Sequence, residues 1–240
     1  MGTFMTLFSL GARLALCASM VRPGAALADV GTDHAHLPIW LAKQGLISKA
    51  VASDVRPGPL ERAKQNIEKY GAGDEVKARL CDGLDGILPE EADDVVIAGM
   101  GGEMIAEIVC RAAWLENAGK HLILQPMTRE ENLRRSLMKM GFSVLSEQAV
   151  LEEGHVYTVM LCAYGPGEGR EDGLFPYIGL LDAKTPESRA YLRREQKRLF
   201  DHANGFAARG DGEKASELLR LRARIGKMLA AEESKSEESL

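Results

Sequence analysis

The sequence predicts an α/β protein with a mainly parallel sheet, followed by a pair of long helices. Five short apolar runs alternate with helical patterns between Leu27 and Met140, and such alternation is typical of a parallel sheet covered by helices on both faces. Only residues 152–154 separate the last predicted strand from the run before it, which indicates a hairpin and therefore an antiparallel final pair. Two long helical patterns, at residues 186–208 and 212–231, close the chain.

Seven strands are predicted from apolar runs, at residues 27–30, 50–54, 76–81, 94–98, 120–125, 142–147 and 155–163. Helices are predicted where apolar residues recur at intervals of three or four, and glycines 45, 71 and 141 end three of them. The predicted helices before the C-terminal pair cover residues 7–21, 37–43, 59–70, 104–111 and 129–140. A Rossmann-like sheet of seven strands with an antiparallel last strand is the layout of class I methyltransferases, whereas dinucleotide-binding folds usually have six parallel strands.

Composition indicates an ordinary folded protein of 240 residues, with 45% apolar and 27% charged residues. We expect three parts: a cofactor-binding domain over residues 1–164, a helical hairpin over residues 165–232 that begins with a Gly-rich linker, and a disordered tail over residues 233–240. The hairpin has heptad-like apolar spacing, which predicts an antiparallel coiled coil.

The N-terminal segment is predicted to be an amphipathic helix and not a signal peptide, because no Lys or Arg precedes residues 7–21, Arg13 interrupts them and no small-residue cleavage site follows. No apolar run approaches the roughly 20 residues of a membrane span. The four cysteines form no CxxC pair, which indicates reduced thiols. We therefore expect a cytoplasmic protein with no membrane partner.

Charge is distributed unevenly along the chain. Residues 1–183 hold 17 Lys and Arg against 25 Asp and Glu, whereas residues 184–230 hold 12 against 6. A basic appendage on an acidic body suggests a polyanion partner. On charge alone, a solvated helix face is the better explanation.

Acidic or glycine-rich positions follow four predicted strands. Asp29 and Asp33 lie at the first, Asp54 at the second, Asp82 at the third and glycines 99–102 at the fourth. The carboxyl ends of parallel strands meet at one edge of the sheet, where ligands bind. Each residue alone is explained by a helix cap, but four in register favour a ligand site.

The spacing of these groups indicates a nucleoside ligand. Asp54 lies 19 positions after Ala35, which stands where the last glycine of such a turn would be, and a carboxylate about 20 residues beyond the glycine turn can bind both ribose hydroxyls. Asp82 would accept a hydrogen bond from an adenine amino group or cap the next helix. The glycines at 99–102 would let backbone approach a reacting group, or they form only a tight turn.

The turn LADVGTDHAHLP favours S-adenosylmethionine over NAD. A dinucleotide turn needs glycine where Asp33 stands, and a carboxylate there would repel phosphate. S-adenosylmethionine has no phosphate, and its sulfonium and ammonium groups could face Asp29 and Asp33. His34 and His36 have no third ligand nearby, so no metal site is predicted. His34 would orient a substrate, act as a base or stabilise the turn.

Six segments carry a resemblance to a known family: ADVGTDHAHLPIW, ASDVRPGPLERAKQN, DGLDGI, VVIAGMGG, LILQP and VYTVML. In this order they resemble the bacterial tRNA (adenine(22)-N1)-methyltransferase family over roughly residues 10–163. DVGTDHAHLP and IAGMGG are specific to that family. Its C-terminal coiled-coil domain is similar to the basic hairpin predicted here.

The resemblance implies a class I fold, S-adenosylmethionine as methyl donor, S-adenosylhomocysteine as product, and methylation of adenine N1 in the D-arm region of tRNA. The cofactor-binding residues that it implies, with their neighbours, are Asp29, Gly31, Thr32, Asp33, His34, Asp54, Val55, Asp82, Gly83, Ala98 and Gly99. The residues expected at the methyl group are Asp33, His34, Gly99, Met100 and Gly101. His36 stands where the family has Tyr, and Met127 where Asn is frequent, so both departures bear on contact with the target base.

We expect the basic hairpin to bind the tRNA backbone, and no obligate protein partner is implied. The candidate residues are Arg189, Arg193, Arg194, Lys197, Arg220, Arg222, Arg224 and Lys227. Two alternatives stay open: a class I methyltransferase that acts on another RNA, a small molecule or a protein, and a non-catalytic module that binds cofactor or RNA.

Overall fold

The structure is a computed structural model that describes residues 7–166 and 173–237. Its strands are β1 Ala25–Val30, β2 Ile47–Asp54, β3 Val76–Leu80, β4 Asp94–Gly101, β5 His121–Thr128, β6 Phe142–Glu152 and β7 His155–Tyr164. Its α-helices are α1 Ala12–Met20, α2 His36–Lys43, α3 Pro57–Lys69, α4 Gly102–Arg111, α5 Glu130–Lys139, α6 Phe175–Ile178, α7 Pro186–Ala208 and α8 Gly212–Glu237. Within the described ranges no helix is long and apolar enough to cross a membrane.

All seven strands form one sheet in the order β3-β2-β1-β4-β5-β7-β6. β1 pairs in parallel with β2 on one side and β4 on the other, whereas β7 is antiparallel to both β5 and β6. The predicted class I layout with an antiparallel final pair is confirmed. The chain changes direction across the sheet at β1, and a crevice therefore opens beyond the carboxyl ends of β1 and β4.

The N-terminal helix is shorter than the sequence pattern predicts. α1 begins at Ala12, and residues 7–11 form no helix. Phe8 instead packs its ring 4.6 Å from the His36 ring and 5.0 Å from the Tyr70 ring. Tertiary packing of this aromatic side chain therefore overrides the helical spacing.

Other boundaries also differ from the prediction. β4 continues through Gly101, so the glycine segment prolongs a strand and is not only a tight turn. β6 continues to Glu152, which leaves a two-residue turn of Glu153 and Gly154 with φ angles of 50° and 78°. α8 continues to Glu237, so the predicted tail begins inside a helix, and residues 167–172 of the predicted linker lie outside the described ranges.

The helical hairpin is attached to the sheet by buried charge. The Arg134 and Glu147 side chains are fully buried and paired at 2.6 Å. Arg134 also donates to the Tyr191 hydroxyl of α7 at 2.9 Å and to the Pro176 carbonyl of α6 at 2.8 Å. The Thr158 hydroxyl donates to Glu147 at 2.6 Å. One ion pair thus joins α5, the β6–β7 pair and the C-terminal helices.

A second set of ion pairs fixes α7 against the first turn of α5. Arg194 pairs with Glu130 at 2.6 Å and donates to the Val156 carbonyl at 2.9 Å, while Arg198 pairs with Glu131 at 2.6 Å. Arg194 was predicted to bind tRNA, but in the structure its guanidinium is engaged in docking the hairpin.

These contacts also set the direction of the hairpin. α5 follows β5 directly, so its first turn lies at the carboxyl edge of the sheet. α7 reaches this turn with Arg198 and continues to Ala208, a further distance of about 15 Å at 1.5 Å per residue. The outer half of the hairpin therefore projects past the edge at which the crevice opens.

Arg134→Met is expected to lower the free energy of unfolding by about 3 kcal/mol or more, because it leaves Glu147 buried without a cation. Denaturant titration measures the change. Arg193→Gln is the matched control, since it removes the half-exposed Arg193–Glu233 pair and should cost less than about 1 kcal/mol. Equal small losses in the two variants would contradict the role of the buried pair.

Candidate active site

A cavity of about 760 Å³ opens at the carboxyl edge of the sheet. This volume is within the range of small-molecule sites. The eleven residues expected to bind the cofactor all line it, as do four of the five expected at the methyl group. Gly101 is the exception: it pairs with Thr128 of β5 and precedes α4. The roles of these residues stay predictions, but the structure brings them together in one place.

The turn after β1 is held to β2 by its backbone. The N–H groups of Gly31 and Thr32 both donate to the Ser53 carbonyl, at 2.8 and 2.9 Å. Gly31 has a φ of +73°, a left-handed conformation that favours glycine. A Cβ there would also lie 2.1 Å from the Met100 Cε of β4. The turn is therefore packed closely against the end of β4.

Two residues of this turn adopt the left-handed conformation without being glycine. Asp33 has a φ of +46° and Ala35 a φ of +54°. Such backbone costs on the order of 1 kcal/mol or more per residue and is concentrated at functional sites. The Asp33 carboxylate is about half exposed and contacts Arg62 at 3.1 Å and His34 Nε2 at 3.3 Å. Asp33 thus lies at the mouth of the cavity with its charge shared.

Asp29 forms the floor of the cavity, with only 6% of the residue exposed. Its carboxylate accepts a hydrogen bond from the Thr32 hydroxyl. Burial, with a smaller contribution from the charge of Asp54, raises the pKa of Asp29 to about 6, although the bond from Thr32 opposes the rise. No cation pairs with it within the described ranges. The floor therefore carries a buried acid that a ligand's ammonium group would neutralise.

The other two strand-end acids differ in exposure. Asp54 is buried and accepts from the Arg56 N–H at 2.8 Å. Asp82 is exposed, and Arg111 of α4 donates to it at 2.9 Å. This bond lowers the pKa of Asp82 below its usual value. Arg111 lines the cavity but was not foreseen, since its sequence signal is only that of a cation in the last turn of a helix.

A polar chain behind the cavity orients the end of β4. The Gly99 N–H donates to the buried Gln125 side-chain oxygen at 3.1 Å, and Arg13 donates to the same oxygen at 2.9 Å. The Arg13 side chain also pairs with Glu152 and lies 3.4 Å from the Met127 sulfur. Arg13 was missed as a site residue, although a lone cation inside an apolar helix was its signal.

An aromatic stack leads into the cavity. His36 lies between Phe8, at 4.6 Å, and His34, whose ring is nearly parallel to it at 5.2 Å. Burial, and then the neighbouring His34, lower the pKa of His36. The His36 ring thus contacts two neighbouring rings, at interplanar angles of 47° to Phe8 and 14° to His34. His34 stands at the cavity end of the stack, with 38% of its side chain exposed.

The sheet order, the strand-end acids and a turn unsuited to phosphate define a class I methyltransferase dependent on S-adenosylmethionine. Residues 10–160 match the model of the methyltransferase domain family. The tRNA (adenine(22)-N(1))-methyltransferase of Bacillus subtilis is 34% identical over 196 residues, which is 82% of this chain and 80% of that protein. The chain belongs to the tRNA (adenine(22)-N(1))-methyltransferase family.

Solved structures agree with this assignment. The structure of the Bacillus subtilis m1A22 tRNA methyltransferase superposes with a TM-score of 0.81 at 28% identity, covering 93% of this chain and all of that one (100%). A putative tRNA (m1A22) methyltransferase of Streptococcus pneumoniae, in complex with S-adenosyl-L-methionine, superposes with a TM-score of 0.76 at 33% identity. This superposition covers 90% of this chain and 98% of the Streptococcus pneumoniae chain.

Asp29→Asn is expected to stabilise the ligand-free protein at neutral pH. The pKa of Asp29 is higher folded than unfolded, about 6 against 3.8, so its contribution to stability falls as pH rises from about 4 to 6. Removing the charge should add up to about 3 kcal/mol at pH 7.5 and little at pH 4. Denaturant titrations at both pH values measure this.

Asp33→Asn is the control for this prediction, because it neutralises a half-exposed acid of the same turn that already contacts Arg62 and His34. It should give no gain at neutral pH. If Asp29→Asn instead destabilises the protein equally at both pH values, the ionised Asp29 carboxylate does not destabilise the folded protein and the prediction is wrong.

Proposed function

We propose that this protein transfers a methyl group from S-adenosylmethionine to N1 of adenine 22 of tRNA, and that it does so in the cytoplasm. The observation that carries the proposal is the cavity floor of a chain of this family, where no cation among the described residues pairs with the buried Asp29 carboxylate. The ring of acids at its sides and the basic hairpin projecting past its mouth support a nucleoside cofactor and a polyanionic substrate.

The residues present fit the cofactor. S-adenosylmethionine, when bound, supplies a methyl group activated by a sulfonium. Asp29 would hold its ammonium, Asp54 its ribose hydroxyls and Asp82 its adenine amino group. Arg111 donates to Asp82 and would orient it for this, and the cavity of about 760 Å³ has room for the molecule.

Adenine N1 has a free lone pair, so no general base must remove a proton before attack. Catalysis then depends on orientation and on exclusion of water. The rigid end of β4, fixed through Gly99 and Gln125, would set the position of the reacting atoms. The methylated adenine is cationic, and the Asp33 carboxylate at the mouth would stabilise that charge. His34 would hold Asp33 in place through Nε2.

The target adenine must leave its stack to enter the cavity, at a cost of a few kcal/mol. Contacts between tRNA phosphates and the hairpin would offset this cost. Exposed basic residues of α7 and α8 are the candidates for these contacts: Lys197, Arg220, Arg222 and Lys227. Arg193 pairs with Glu233 and Arg189 donates to the carbonyls of Ala183 and Lys184, so these two would contribute less.

The activity is tested by incubating the protein with labelled S-adenosylmethionine and unmodified tRNA, followed by mapping of the modified base. Label should appear at adenine 22. Asp54→Asn should lower affinity for S-adenosylhomocysteine at least tenfold and reduce transfer in proportion. Transfer of label only to small molecules or proteins would favour the alternative methyltransferase, and no transfer at all would favour a binding module.

Combined replacement of Lys197, Arg220 and Lys227 by Gln should weaken tRNA binding and make it less dependent on salt. Each lost phosphate contact removes about 0.9 from the slope of log K against log salt, so the three together should remove about 2 to 3. Affinity for S-adenosylhomocysteine should not change.

The control replaces Lys69 and Lys139 by Gln, because these residues end α3 and α5 at the opposite edge of the sheet. The control should leave the salt dependence unchanged. An equal effect of both sets would show that tRNA binding is spread over the surface and not directed by the hairpin.

A further inference from the structure

An aromatic ring stands exposed on the projecting half of the hairpin. Phe200 of α7 lies two residues beyond Arg198, the last residue of α7 described as paired with α5, and 42% of it is exposed. The hairpin interior is filled by other side chains, among them Leu199 and Ile225. Phe200 therefore adds little to the coiled-coil core, and its exposure calls for another explanation.

Phe200 has a cation over its ring. The Arg222 guanidinium of α8 lies 5.0 Å from the ring centroid, within the range of a cation–π interaction. The Arg222 backbone is held across the hairpin, since Gln196 donates to its carbonyl at 3.5 Å. Gly226 permits the approach, because a Cβ there would lie 2.8 Å from the Gln196 amide nitrogen. The two helices are thus close enough to present ring and guanidinium as one unit.

The surroundings of this pair are basic and polar. Arg193 and Lys197 precede Phe200 by seven and three residues and so lie on the same side of α7. Leu219, 41% exposed, is the large exposed apolar side chain nearest to Arg222 in the chain. Two apolar side chains make a patch too small for a stable protein interface, which needs about 1,000 Å². A ring flanked by cations matches a stacked nucleobase with phosphates beside it.

We propose that Phe200 and Arg222 form a stacking platform for an unpaired nucleobase of the tRNA, separate from the adenine that is methylated. The inference rests on the proposed function, because it assumes that the hairpin binds tRNA. The platform lies on the part of the hairpin that extends past the cavity edge. It would therefore bind an unpaired base in a loop or at an end of the same tRNA whose adenine enters the cavity.

The test measures tRNA affinity at several salt concentrations for Phe200→Leu, Phe200→Trp and Leu219→Ala. Loss of one stacked base should weaken binding about tenfold, so Phe200→Leu should bind about ten times more weakly and Phe200→Trp should bind as well as the original protein. Leu219→Ala is the matched control of equal exposure and should change affinity less than twofold. The salt slope should be the same in all three, because stacking releases no counterions.

Affinity for S-adenosylhomocysteine, measured in the same preparations, should stay constant and reports that the variants are folded. Two results would overturn the platform while leaving the methyltransferase assignment intact. One is a Phe200→Leu variant that binds tRNA normally, and the other is a Phe200→Leu variant whose binding loses salt dependence as expected for the combined Lys197, Arg220 and Lys227 replacement. If the original protein itself binds no tRNA, the proposed function fails first and the platform with it.

Discussion

The buried carboxylate of Asp29 is the constraint on which the site depends. It stands at the end of β1, where the sheet order reverses, and the turn that follows places the Thr32 hydroxyl over it. Burial of a charge without a cation destabilises the ligand-free fold. A bound ammonium would remove that cost, so the role proposed for Asp29 would account for a carboxylate that destabilises the ligand-free protein.

The same edge of the sheet connects this site to the hairpin. The first turn of α5 follows β5 at the carboxyl edge, and its acids Glu130 and Glu131 bind Arg194 and Arg198 of α7. The fully buried Arg134–Glu147 pair anchors the same helix one turn further in. Because one surface of α5 carries both sets of contacts, the direction of the hairpin is fixed relative to the cavity, and a tRNA held on it would meet the cavity in a defined orientation.

The strand-end acids could be predicted from the sequence. Predicted strands alternate with predicted helices, which implies a parallel sheet, and a parallel sheet brings Asp29, Asp54 and Asp82 to one edge. The roles of Arg13 and Arg111 could not be predicted, because their partners are distant in the chain. Gln125 lies 112 residues from Arg13, and Asp82 lies 29 residues from Arg111. Charge pattern likewise assigned Arg194 to tRNA, because a sequence does not distinguish a solvated cation from one paired across the fold.

The central claim is that adenine 22 of the tRNA enters the Asp29 cavity and that its N1 accepts the methyl group. Replacement of this one nitrogen atom in the tRNA tests the claim most directly. A tRNA carrying 1-deazaadenosine at position 22 keeps the base and its stacking but has no N1 lone pair. It should bind with the affinity of unmodified tRNA and accept no label from S-adenosylmethionine in a single turnover. Methylation of that tRNA at an undiminished rate would contradict the assignment of N1 as the nucleophile.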